Sequence, residues 1–190
     1  VKTGLILYPG AKVKPKAYSP LAYNIASSGY LTIIVPMPLN LAVLDVDKAE
    51  AIFKNYPDIN NWIIGGHSLG GAMAVRYVYN NINKMNKISG LILLASYPPQ
   101  SNDLSDKNIK VLSIYGNKDG ITDLEKIKQS QKYLPDNAKF IEIEGGNHSQ
   151  FGWYDFQSGD NKATISRKKQ QNIIVSLIKK FLDSISKNNR

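Results

Sequence analysis

The chain has no cysteine in its 190 residues. Disulfides, zinc–thiolate sites and a cysteine nucleophile are excluded together, so any covalent chemistry must run through another side chain. Histidine is nearly as scarce, with only His67 and His148. Two imidazoles and no thiols offer little from which to build a transition-metal site, and no carboxylate motif for calcium or magnesium is present. No metal and no organic cofactor is expected.

Long apolar runs are missing as well. The longest candidate, "LTIIVPMPLNLAVL", is broken by Pro36, Pro38 and Asn40, and nothing reads as a membrane span. The chain starts at Val1 and enters an apparent strand within four residues, so an upstream segment removed before this point is expected. Membrane contact, where it occurs, is expected only through an anchor in that segment; a cytoplasmic and a membrane-anchored location both remain open, as does the oligomeric state.

Negative charge is in deficit: 15 Asp and Glu stand against 24 Lys and Arg, a net +9. The cations are scattered, from Lys12, Lys14 and Lys16 through Lys84 and Lys87 to Arg167, Lys168, Lys169, Lys179 and Lys180, with no interleaved aromatic stripe. A solvated basic surface accounts for this, and no nucleic-acid partner is expected. A hydrophobic content of 43% over this length supports one core, hence a single domain over 1–190.

Short apolar runs recur between glycine- and proline-bearing turns: "GLILY" (4–8), "YLTIIV" (30–35), "NWIIGG" (61–66), "LILLAS" (91–96), "VLSIY" (111–115) and "KFIEIE" (139–144). Several lack polar alternation, as strands covered on both faces do. Helical spacing separates them. Ser19 reads as an N-cap before Pro20, with Gly29 as the C-terminal stop; Asp47 reads as the cap of a helix through about Tyr56. Further helices are expected over Leu69 to about Asn81, over Thr122 to about Tyr133, and along the stripe from Ile173 to Ile185. The alternation predicts a three-layer α/β/α sandwich with a mostly parallel sheet, whose strand C-terminal ends share one ligand-binding edge. Connections are too short for a large lid.

The segment "GGHSLGG" (65–71) decides the chemistry. It has no lysine and has His67 and Ser68 where a dinucleotide fingerprint requires glycine, so phosphate binding fails on spacing. It does contain G-x-S-x-G, as Gly66, Ser68 and Gly70, between a strand and a helix, which is the setting of a nucleophile elbow. The backbone N–H of Leu69 would then face a developing oxyanion. Ser68 needs a base. His67 adjoins it, where successive side chains diverge, and reads as a supporting residue; His148, just after the last strand, is the candidate. Asp119, after "VLSIYG", is the candidate acid, with Asp123, Asp155 and Asp160 as weaker rivals and Asp123 the better helix cap. A second oxyanion donor is expected at Ala11, in "YPGAKV" after the first strand.

These segments, with "YPGAKVKPKAYSPLA", "VPMPLNLAVL", "GGHSLGGAMA", "YGNKDG" and "EGGNHSQFGWY", give the chain a resemblance to the α/β-hydrolase superfamily. It is most similar to small bacterial hydrolases related to the dienelactone-hydrolase-like group. The resemblance implies Ser68, Asp119 and His148 as a triad and Leu69 with Ala11 as an oxyanion hole. Dienelactone hydrolases use cysteine where Ser68 stands, which argues against that particular reaction. The expected activity is ester-type hydrolysis of a small-molecule acyl substrate through an acyl-enzyme. The alternative is a binding protein that keeps the fold without the chemistry. Met37, Leu39, Tyr97, Pro98 and Trp153 follow strand ends and are the expected pocket residues, along with Pro99, Phe151 and Tyr154; ordinary packing is the competing reading for each.

Overall fold

The computed structural model describes residues 2–85 and 87–187. Six strands, β1 (Thr3–Tyr8), β2 (Leu31–Ile34), β3 (Asn61–His67), β4 (Ile88–Leu94), β5 (Lys110–Gly116) and β6 (Lys139–Ile143), form one sheet in the order β2-β1-β3-β4-β5-β6. Every neighbouring pair is parallel. All six C-terminal ends therefore lie along one edge, which is where the loops that carry Ser68, Asp119 and His148 emerge.

Helices α1 (Ser19–Ala26), α2 (Ala49–Asn55), α3 (Leu69–Asn81), α4 (Leu124–Gln129) and α5 (Arg167–Lys187) connect or follow the strands. Alternate residues of one strand feed two cores. Ile6, Tyr8, Trp62, Ile64, Leu91 and Leu93 pack with α2 and α3, through Phe53, Ala74, Val75 and Val78. Leu5, Leu7, Ile63, Ile92, Leu94 and Ile114 pack with α1 and α5, through Leu21, Ile25, Ile174, Ile178 and Leu182. This is why the central strands lack polar alternation: both pleat faces are dry. Each such aliphatic side chain contributes about 1.5–3 kcal/mol by leaving water. The sandwich expected from the sequence is the observed fold class.

Two helix starts and one helix end differ from the sequence reading. A 3₁₀ turn at Pro15–Tyr18 runs directly into α1, so Ser19 is already helical and caps nothing. Asp47 lies in another 3₁₀ turn, Val46–Lys48, and α2 begins at Ala49 without a side-chain cap from its own sequence. The buried Tyr8 hydroxyl does that work instead, accepting from Ala49 N–H at 3.3 Å and donating to Val46 O at 2.6 Å. Asp123 does cap α4, accepting from the amides of Glu125 and Lys126, but the α-helix ends at Gln129 and tightens into a 3₁₀ turn over Ser130–Tyr133. Among the described residues, no helix is long and apolar enough to cross a membrane.

Candidate active site

Ser68 sits between β3 and α3 with φ 53° and ψ −124°, a backbone conformation that few non-glycine residues adopt. Holding it there costs on the order of 1–3 kcal/mol and requires the neighbours to fit closely. They do. A Cβ at Gly66 would collide with the Gly70 backbone, and one at Gly70 would collide with the carbonyl oxygens of Tyr8 and Pro9. The glycines thus press the elbow against the end of β1. Ser68 N–H donates to Leu94 O, while Gly71 N–H and Ala72 N–H donate to Ser68 O. The Leu69 and Ala11 N–H groups make no hydrogen bond within the described residues.

Asp119 and His148 meet across the ends of β5 and β6, with Asp119 Oδ2 2.9 Å from His148 Nδ1. Both are buried. The other carboxylate oxygen accepts from Ile121 N–H at 2.8 Å and Thr122 N–H at 2.6 Å. Thr122 Oγ1 donates to Ala95 O at 3.0 Å and lies 3.1 Å from His148 Nδ1. Acceptors therefore surround Nδ1, which places the proton there and leaves Nε2 as the basic nitrogen. His148 Nε2 is buried and makes no hydrogen bond among the described residues, to Ser68 Oγ included. Base–nucleophile contacts of this kind commonly close only when substrate arrives.

Ser68 and Thr122 line one cavity of about 330 Å³, together with Leu69, Ala72, Ala95, Ser96, Tyr97, Pro99 and Ile121. Of the expected pocket residues, Tyr97 and Pro99 are found there. Met37 is buried in the core beneath α3, among Tyr8 and Met73. Leu39 is 81% exposed in the turn after β2, and Trp153 is 46% exposed with the Arg167 guanidinium over its ring. Pro98 lines a separate depression beside Lys126 and Tyr133. Phe151 and Tyr154 pack in the core on the α1–α5 side. The cavity walls come instead from α3 and from the loops after β4 and β5, including Ala72 and Ile121.

Two further residues carry weight that spacing did not reveal. Asp160, a rival acid in the sequence reading, makes no pairing with a histidine side chain. Its Oδ1 accepts from Gly120 N–H at 3.0 Å, His148 N–H at 3.4 Å and Asn161 N–H at 2.9 Å. Its Oδ2 accepts from Ser149 N–H at 2.7 Å and Ser149 Oγ at 2.6 Å. One buried carboxylate thus ties the residue after Asp119 to the residues around His148. His67 is fully buried, with its ring centroid 4.5 Å from that of His148 and its plane nearly parallel to Phe151. Burial above all, and then the neighbouring His148, push its pKa well below the ordinary imidazole range. Asp155 makes neither kind of contact, and Asp123 is the helix cap already described.

A family profile described as "Alpha/beta hydrolase family" matches residues 4–172. The chain belongs to the alpha/beta hydrolase family. Solved structures share this fold at low identity. A monoacylglycerol lipase from Paleococcus ferrophilus is 14% identical at a TM-score of 0.67, over 93% of this chain and 94% of that one. An uncharacterized Bacillus cereus protein is 16% identical at a TM-score of 0.64 over 98% of this chain. The chain spans 60% of that protein's length. The RedJ thioesterase of the prodiginine pathway in Streptomyces coelicolor is 10% identical at a TM-score of 0.63, over 93% of this chain and 85% of that one. No match is found among curated protein sequences.

Proposed function

We propose that this chain cleaves carboxylic ester-type bonds of small acyl substrates, with Ser68 as nucleophile, His148 as general base and acid, and Asp119 as the group that orients the base and stabilises its imidazolium form. The observation that carries the reading is the strained Ser68 backbone opening onto the same cavity as Thr122, whose hydroxyl touches the Asp119–His148 pair. In this account His148 Nε2 takes the proton from Ser68 Oγ as Oγ bonds to the carbonyl carbon. The N–H groups of Leu69 and Ala11 receive the negative charge on the carbonyl oxygen. The carbon–oxygen bond to the alcohol then breaks, and the alcohol oxygen takes the proton from Nε2. Water, losing a proton to the same nitrogen, releases the acid and restores Ser68.

A cavity of about 330 Å³ lies at the small end for ligand sites, which favours short acyl groups. Two fold neighbours named as a monoacylglycerol lipase and a thioesterase support acyl transfer from oxygen or sulfur. The test is turnover of a series of acyl esters and thioesters of increasing chain length by wild type, Ser68→Ala and Ala72→Leu. Hydrolysis lost in Ser68→Ala, with the length optimum shortened in Ala72→Leu, is the expected result. Turnover that survives Ser68→Ala refutes the reading.

A further inference from the structure

Tyr18 is fully buried at the end of the turn before α1, and its hydroxyl holds two partners. The Gly10 N–H donates to it at 2.9 Å, and it lies 2.8 Å from His67 Nδ1. A backbone amide can only donate, so the tyrosine oxygen accepts there; among the described residues the hydroxyl proton has no acceptor other than His67 Nδ1, and donating to it leaves His67 Nε2 as a buried N–H without a partner. His67 is thereby fixed as the neutral tautomer with its proton on Nε2. The approach is close: a Cβ at Gly10 would lie 2.8 Å from His67 Nδ1 and 3.1 Å from the Tyr18 hydroxyl. The next segment is drawn in as well, because Trp153 N–H donates to Ala17 O at 2.7 Å.

Each partner is one covalent step from an atom of the proposed reaction. Gly10 precedes Ala11, the proposed second oxyanion donor. His67 precedes Ser68, and its ring lies against that of His148. Tyr18 spends the Gly10 N–H on itself, and the Ala11 N–H beside it has no partner among the described residues. We infer that Tyr18 and His67 are positioning residues, a buried hydrogen-bonded pair that sets the oxyanion loop, the serine elbow and the His148 ring at their working separation. This rests on the acyl-transfer reading given above. The neutral tautomer matters because a charge on His67 would oppose the imidazolium that forms on His148. The groups that face the pair are Phe151, Tyr154 and His148, and Tyr154 in turn feels the charges of Asp160, Asp119 and Arg167.

The test uses the full chain in wild-type form and as Tyr18→Phe, His67→Leu and His67→Asn. Asn offers an acceptor oxygen near the place of Nδ1, whereas Leu offers none. Imidazole ¹⁵N spectra of the wild type are expected to show His67 protonated on Nε2 alone between pH 6 and 8 (a range of about two units around neutrality). On folded protein, Tyr18→Phe and His67→Leu are expected to lower kcat by about 10- to 100-fold with KM within about twofold, and to slow fluorophosphonate labelling in parallel. His67→Asn is expected to recover most of the rate. Loss without recovery by Asn, or a proton on Nδ1, overturns the inference. Wild-type labelling at Ser68 with variants that react at the wild-type rate overturns this role alone. A wild-type protein that takes no label overturns the acyl-transfer reading and this role with it.

Discussion

His148 and Asp119 form a buried pair, Nδ1 to Oδ2 at 2.9 Å, in which the second carboxylate oxygen is fully occupied by two backbone amides. Asp119 is therefore fixed before the histidine is considered, and the histidine tautomer follows from it. Asp119→Asn keeps the shape but can present an N–H to Nδ1, which favours the wrong tautomer. The expected outcome is a fall in kcat on the order of 10³–10⁴ with the fold retained, measured by steady-state turnover beside a thermal melt. A loss below about tenfold would show that Asp119 does not govern the base.

Asp160 joins the loop of Asp119 to the loop of His148 through five donors. In Asp160→Asn an amide N–H must face at least one of those donors. The expected loss is about 2–4 kcal/mol of stability, read as a melting temperature lower by about 5–15 °C. Activity per folded molecule should fall too, because the acid and base loops lose their shared anchor. An unchanged melting temperature would mean that the carboxylate is not a structural tie.

Gly70 lets the helix start lie on the end of β1. In Gly70→Ala the new methyl meets two backbone carbonyl oxygens, and backbone cannot swing aside as a long side chain can. Destabilisation of about 3 kcal/mol or more, or loss of soluble protein, is expected from denaturant melts. Wild-type stability in this variant would contradict the tight elbow.

How much of this was legible in the chain varies with the kind of signal. Ser68, Asp119 and His148 stood out because the glycine pattern and the position of each after a strand are local features, and a parallel sheet carries every such loop to one edge. The layer arrangement followed from apolar strands for the same reason. The Tyr8 hydroxyl at Ala49, the Asp160 tie and the Tyr18–His67 pair join residues 11 to 49 positions apart in contacts that no spacing rule encodes. Residues that follow strand ends do not share one fate: Tyr97 and Pro99 line the cavity beside Ser68, and others do not. Met37 turns down into the core and Trp153 turns out toward Arg167, whereas Ala72 and Ile121 reach the cavity from a helix and a loop that carry no aromatic signal.

His67 adds a pH dependence to stability. Its folded-state pKa lies well below the ordinary value of about 6.5 that applies in the unfolded chain. Below about pH 6.5 the unfolded chain binds a proton that the folded chain refuses, so stability is full above that pH and falls as pH drops toward the folded value. The stability difference between wild type and His67→Asn is expected to move against the wild type from pH 7 to pH 5, by up to about 1.4 kcal/mol per pH unit. Denaturation curves across that range measure it, and parallel curves would show that His67 titrates normally.

The central claim is that Ser68 is an activated nucleophile. Intact-mass analysis after exposure to a fluorophosphonate tests it most directly, with Ser68→Ala and His148→Ala treated alongside. One adduct per wild-type chain, absent from both variants, is the predicted result. No adduct on folded wild-type protein, or an adduct that persists in Ser68→Ala, would contradict it.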